Sequence, residues 1–116
     1  MFRVIIAGSR NFNDFELLEK KMLYFLQNKK DIVVLCGGAR GADDLGRQFA
    51  EKHGFMVEMF PAEWKKHGKR AGVVRNRQMA AAADACVCFW DGSSRGTANM
   101  IEEAKRAGIP LRVVRF

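Results

Sequence analysis

Five apolar runs alternate with polar stretches of helical period along the 116 residues. The first spans Arg3 to Ala7, is apolar at Val4, Ile5 and Ile6, and closes at Gly8. A run that is apolar at every position suits a strand buried on both faces, as in a parallel sheet covered by helices. Asn13-Asp14-Phe15-Glu16 predicts a helix start, with Asn13 as cap and Glu16 three residues on. That helix is expected to reach about Asn28 and to bury Leu18, Met22, Phe25 and Leu26. Ile32 to Cys36 is the second strand. Gly37-Gly38-Ala39-Arg40-Gly41-Ala42-Asp43 follows, then a helix from Asp43 to His53 with Ala42, Leu45, Gly46, Phe49, Ala50 and His53 on one face. Glycine inside a helix costs about 1 kcal/mol against alanine, so Gly46 predicts a close helix–sheet approach. Gly54 ends the helix.

Phe55 to Phe60 reads as a third strand, and Glu58 within it marks a sheet edge. Pro61 to Gly72 is the longest stretch without a periodic pattern. A third helix is expected from Val73 to Ala83, with Asn76 on its inward stripe beside Val73, Met79, Ala80 and Ala83. A buried amide needs a partner, either a backbone group at a strand end or a ligand. Ala85 to Trp90 is the fourth strand, Asp91 to Gly96 a turn, and Thr97 to Ala107 the last helix, stopped by Gly108. Ile109 to Phe116 closes the series, with Arg112 and Arg115 pointing to the other sheet edge.

Strand and helix alternating with short connections predict an α/β fold: one domain over 1–116 with a doubly wound, mostly parallel five-stranded sheet. Ligands of such sheets sit outside the carboxyl ends of the strands, where the strand order reverses. The polar turns at Gly8, Gly37 and Asp91 all fall at that end.

Composition sharpens this picture in three ways. No apolar run approaches the roughly 20 residues of a membrane helix, and Met1-Phe2-Arg3 leads straight into a strand, unlike a secretory signal. The three cysteines, Cys36, Cys86 and Cys88, are odd in number, lie in apolar runs and lack zinc-ligand spacing. A cytoplasmic protein with reduced core thiols and no metal is expected. The net charge of +7 is concentrated: six basic residues (Lys65, Lys66, Lys69, Arg70, Arg75, Arg77) and no acid lie between Trp64 and Ala83. Such a segment is either a solvated basic loop or a surface for an anionic partner.

The P-loop pattern, the G-x-G-x-x-G dinucleotide fingerprint and the G-x-S-x-G elbow are all missing. Two glycine-rich turns remain. Gly37, Gly38, Ala39, Arg40 and Gly41 come between a strand and a helix, where backbone N–H groups and a helix N-terminus attract phosphate. Gly92, Ser93, Ser94, Gly96 and Thr97 stand in the same setting, where hydroxyls either grip a phosphate or simply cap the helix. Gly8, Ser9 and Arg10 end the first strand, and Arg75 and Asn76 stand near a helix start on the same edge. Arg10, Arg40 and Arg75 are the candidate countercharges. Asp91 and Asp43 are the candidate catalytic carboxylates, though a turn aspartate explains Asp91 nearly as well and a helix-start aspartate explains Asp43 at least as well. Trp64 either stacks on a base or plugs the rim of the core.

Taken together, these residues resemble the SLOG superfamily, the group named for Smf/DprA and the Lonely-guy enzymes. The nearer likeness is to its YspA, or cpYpsA-related, branch, formerly a domain of unknown function. It is carried by Gly8-Ser9-Arg10, Gly37 to Asp43, Pro61-Ala62-Glu63-Trp64, Gly68-Lys69, Ala71-Gly72, Arg75-Asn76, Met79, Asp91-Gly92-Ser93, Gly96-Thr97 and Met100-Ile101. The resemblance implies a Rossmann-like three-layer αβα fold with strand order 3-2-1-4-5. It also implies a nucleotide or nucleotide-derived ligand, a role in phage conflict or stress, and a homodimer. The Lonely-guy enzymes cleave an N-glycosidic bond with P-G-G-x-G-T-x-x-E. Here Gly96-Thr97 matches, but Met100 stands where the glutamate would be. The phosphate site survives that departure and the catalytic carboxylate does not. Two functions stay open: a nucleotide sensor or hydrolase, and a single-stranded nucleic-acid binder using Trp64 and the Lys65–Arg77 segment.

Overall fold

The computed structural model describes all of residues 1–116. Five strands form one sheet: β1 (Phe2–Gly8), β2 (Ile32–Cys36), β3 (Met56–Met59), β4 (Ala85–Trp90) and β5 (Leu111–Arg115). Five helices connect them: α1 (Phe15–Leu26), α2 (Ala42–Lys52), a single turn α3 (Trp64–His67), α4 (Ala71–Ala82) and α5 (Arg95–Ala107). All strand pairs are parallel and the order is β3-β2-β1-β4-β5, the expected 3-2-1-4-5.

The side-chain period of two explains why the central strands are apolar throughout. Val4 and Ile6 of β1, Val34 and Cys36 of β2, and Val87 and Phe89 of β4 pack with Leu18, Met22 and Phe49 of α1 and α2. The alternate residues Ile5, Ala7, Leu35, Cys86 and Cys88 pack with Met79, Met100 and Ala104 of α4 and α5. All three thiols are free and buried, and burial pushes Cys36 up to about 12. Helix α2 approaches β1 closely at Gly46, where an added Cβ would stand 2.7 Å from Cγ2 of Ile6.

The edges are β3 and β5, as Glu58, Arg112 and Arg115 indicated. Glu58 pairs with Arg3, whose Nε also donates to the Ala82 carbonyl at 2.7 Å. This ties the edge strand to the central one.

Four local expectations need correction. The cap of α1 is Asp14, which accepts from Leu17 N–H at 3.0 Å; Asn13 lies one residue outside. The helix stops at Leu26, and Phe25 is only half-buried. The stretch Pro61 to Gly72 is not irregular: it holds α3 and the 3-10 turn Gly68–Arg70, which runs into α4 at Ala71. Finally, α5 starts at Arg95 rather than Thr97, because Ser94 is its cap and Thr97 N–H donates to Ser94 Oγ at 3.4 Å. Periodicity marks the buried face of a helix but not its first turn, so capping geometry sets these boundaries.

Candidate functional site

The chain doubles back between β1 and β4, so the crevice beyond their carboxyl ends is the reversal point of the sheet. A small cleft of about 80 Å³ opens there, lined by Ala7, Gly8, Arg10, Ala39, Asp43, Arg75, Asn76, Met79, Ser94, Gly96, Thr97 and Met100. Its cations are Arg10 and Arg75, and its one acid is Asp43. A wider cavity of about 340 Å³ adjoins it, sharing Arg10, Ala39 and Arg75 and adding Gly37, Gly38, Pro61, Ala62 and Trp64.

Arg75 locks the two halves together. Its Nη1 donates to the Gly37 carbonyl at 2.6 Å and to that of Phe60 at 3.5 Å, and its Nε donates to Asn76 Oδ1 at 2.9 Å. The guanidinium takes the place where a Cβ on residue 37 would stand, so a larger residue there would displace Arg75. Asn76 has the partners its burial requires: its amide donates to Asn99 Oδ1 at 2.9 Å and to the Gly96 carbonyl at 3.3 Å. It thereby fixes the start of α5 against α4.

The two glycine-rich turns differ in what already occupies them. At α2, Asp43 is buried and accepts from Ala39 N–H at 3.2 Å. Burial raises its carboxyl from 3.8 to about 6, although N–H groups of Ala39, Gly37 and Gly8 and the Arg75 charge pull the other way. The positive end of α2 therefore carries the chain's own carboxylate. The first turn of α5 has no acid. Its cap Ser94 shares a hydroxyl contact of 3.1 Å with buried Thr97, and both line the cleft.

Of the candidates from the sequence, Gly8, Arg10, Ala39, Asp43, Arg75, Asn76, Gly96 and Thr97 meet in the inner cleft, and Gly37 and Gly38 line the outer cavity. Six stand outside both linings. Ser9 is buried, and its hydroxyl accepts from Asp91 N–H at 3.1 Å, joining the ends of β1 and β4. Asp91 uses Oδ1 to accept from Ser93 and Ser94 N–H at 2.9 and 2.8 Å, and these bonds hold its carboxyl below the usual range. Gly92 (φ +89°) packs under the Arg115 guanidinium, and Ser93 is exposed. Gly41 adopts φ +77° with the Ser9 and Arg10 backbone where a Cβ would be, and Arg40 is exposed. Ala7, Met79 and Met100 are cleft residues beyond the ligand candidates named from the sequence. Ser94, read there as either a phosphate contact or a cap, lines the cleft and caps α5. Met79 is on the predicted inward stripe, and both methionines are core and cleft wall.

The family model described as YAcAr, the YspA, cpYpsA-related SLOG family, matches residues 2–67. A curated relative, the Gene 61 protein of Mycobacterium phage D29, is 42% identical over 118 residues, spanning 96% of this chain and 94% of that protein. The chain belongs to the YspA, cpYpsA-related SLOG family. Among solved structures, this SLOG chain is similar to DNA processing protein A (DprA) from Streptococcus pneumoniae, with TM-score 0.78 and 17% identity. That likeness covers 97% of the chain but 50% of DprA. It is also similar to TM1055, with TM-score 0.69 and 23% identity over 96% of this chain and 72% of that one. Both show the Rossmann-like fold. No helix of the SLOG chain is long and apolar enough to cross a membrane, and no three His, Cys, Asp or Glu side chains converge as a metal site would need.

Proposed function

We propose that this SLOG domain binds a nucleotide or nucleotide-derived ligand through its phosphate, at the carboxyl edge between β1 and β4. One observation carries the reading: the N-terminus of α5, free of acidic residues, opens onto a cleft that also holds Arg10 and Arg75. The dipole of α5 and two guanidiniums converge on one cleft, which is the chemistry a phosphate selects, while the N–H groups of Ser93, Ser94 and Thr97 are already held by Asp91 and the Ser94 hydroxyl. The α2 turn plays a different part. Its Ala39 N–H is taken by Asp43, so that turn offers an acceptor for a ligand hydroxyl or amino group rather than a cradle for phosphate. Arg40, Gly41, Ser9, Gly92 and Ser93 then act by shaping the two loops.

Sensing fits the cleft better than hydrolysis. Met100, at the position of the Lonely-guy glutamate, is buried and apolar. Asp91 is committed to its own turn. Asp43 is the one carboxylate facing the cleft and the candidate catalytic group if the ligand is cleaved. The three reduced, buried thiols suit a cytoplasmic setting. The test is a thermal-shift screen against nucleoside monophosphates, NAD, ADP-ribose and cyclic nucleotides, with mass spectrometry of the products. Binding to the native state alone raises the midpoint by mass action. A shift with unchanged ligand mass identifies a sensor, and a released base identifies a glycosidic hydrolase. No shift with any nucleotide refutes the reading.

A second reading has its own observation. Lys65, Lys66, Lys69 and Arg70 are all exposed on α3 and the turn that follows it, beside exposed Trp64. A cationic strip with an aromatic ring suits a single strand of nucleic acid. That reading requires oligonucleotide affinity that falls steeply with salt.

A further inference from the structure

Trp64 is 58% exposed, so it does not plug the core rim. It is the first residue of α3 and stands in the wall of the 340 Å³ outer cavity. Pro61 and Ala62 line that cavity beside it. Gly37 and Gly38 complete the lining: the space beside Gly37 is taken by the Arg75 guanidinium, and Gly38 is exposed. The cavity adjoins the inner cleft, with Arg10, Ala39 and Arg75 lining both, so a ligand that reaches past these side chains would meet both compartments. A single exposed apolar side chain is ordinary; what sets Trp64 apart is its place in a cavity wall.

We propose that the outer cavity is a base subsite, in which Trp64 stacks on the planar heterocycle of a nucleotide whose phosphate lies at the start of α5. The inference rests on the phosphate reading above and adds the class of group at the other end of the ligand. It makes the ligand an intact nucleotide rather than a sugar phosphate. Stacking a base on an aromatic side chain is sequence-tolerant, because every base has a π-face. The subsite therefore contributes affinity more than discrimination among bases. Arg75, which lines both compartments, is the positioning residue that holds the Gly37 carbonyl at the cavity wall.

The experiment is calorimetric titration with three probes: adenosine, ribose 5-phosphate and AMP, repeated with the guanine, cytosine and uracil counterparts of the first and third. It uses the wild type, Trp64→Ala and Trp64→Phe. Trp64 is exposed and belongs to a one-turn helix, so both variants are expected to keep the wild-type melting midpoint. The proposal expects a nucleoside monophosphate to bind more tightly than ribose 5-phosphate, with Trp64→Ala erasing about five- to a hundredfold of that advantage and Trp64→Phe restoring most of it. Ribose 5-phosphate should bind all three proteins equally. Equal affinity for the monophosphate and ribose 5-phosphate, or an advantage untouched by Trp64→Ala, overturns the base subsite and leaves the phosphate site standing. Nucleoside binding that depends on Trp64, with no gain from the phosphate, supports the subsite and refutes the phosphate reading. Trp64-dependent binding of an oligonucleotide with no affinity for any monomer overturns the subsite in favour of the polymer reading.

Discussion

Asp43 should make the fold less stable than it could be. The carboxyl is buried against α2, β1 and the Gly37 turn, and its pKa rises from 3.8 to about 6. Between about pH 4 and pH 6 the native chain holds a proton that the unfolded chain has released. The contribution is therefore favourable at low pH and is lost as the pH rises through 6. A shift of about two units corresponds to roughly 3 kcal/mol, carried as a deficit at neutral pH. Asp43→Asn removes the charge while keeping an oxygen for Ala39 N–H. At about pH 8 the variant should be more stable than wild type by roughly 2–3 kcal/mol. With an unfolding entropy of about 0.24 kcal/mol per kelvin for a chain of 116 residues, that is a rise in Tm of roughly 10 °C. The advantage should shrink toward zero by about pH 4, where wild-type Asp43 is itself neutral. Urea denaturation of both proteins across this range gives the comparison, and NMR of the carboxyl carbon gives the pKa directly. A variant less stable than wild type at pH 8, an unchanging difference from pH 4 to 8, or a carboxyl titrating near 4 would refute the argument. A cost of this size, kept in a cleft wall, is what a functional rather than a packing role predicts.

Other substitutions separate support from contact. Arg75→Ala should destabilise by about 1.5–3 kcal/mol, because a charge-assisted bond to the Gly37 carbonyl is lost; chemical denaturation checks it. The same change should push the Asp43 carboxyl higher still, since the guanidinium now restrains it. Ser94→Ala removes the cap of α5 and should cost about 1 kcal/mol, read from the melting curve. Gly46→Ala places a Cβ 2.7 Å from Ile6 and should destabilise by about 1–3 kcal/mol through overpacking, although alanine is the better helix former; a stabilised variant would contradict the close approach. Replacing Lys65, Lys66, Lys69 and Arg70 with glutamine should leave mononucleotide affinity unchanged. It should also flatten the salt dependence of any oligonucleotide binding, as measured by fluorescence anisotropy.

Much of the fold was legible along the chain because its signals are local. Strands β1, β2 and β4 are apolar at consecutive positions, which only burial on both faces explains, and glycines at 8, 37 and 54 mark ends of elements. The edges were visible as charges within strands, Glu58 on β3 and Arg112 and Arg115 on β5. Errors gathered where a single hydrogen bond decides the outcome. Asp14 rather than Asn13 caps α1, and the Pro61–Gly72 stretch winds into α3 and a 3-10 turn too short to show a period. The glycine-rich turns looked equivalent in sequence. They differ because Asp43, four residues after Ala39, folds back onto its N–H inside the cleft, whereas Asp91 binds the Ser93 and Ser94 N–H groups from outside the cleft lining and no acid lies in the first turn of α5.

What the chain determined by itself is therefore the alternation of buried strand and amphipathic helix, and the placement of polar turns at one end of the sheet. Hydrophobic periodicity and capping act over three or four residues, and they are written where they act. What the tertiary structure alone decided is which of those turns share a cleft. Arg75 reaches Gly37 across 38 positions, Asn76 reaches Asn99 across 23, and Ser9 reaches Asp91 across 82. These pairings follow from the strand order reversing between β1 and β4 in an all-parallel sheet, which brings the ends of distant elements within hydrogen-bond range. The raised carboxyl of Asp43 has the same origin, since burial by segments remote in sequence is a property of the packed molecule and of no shorter stretch.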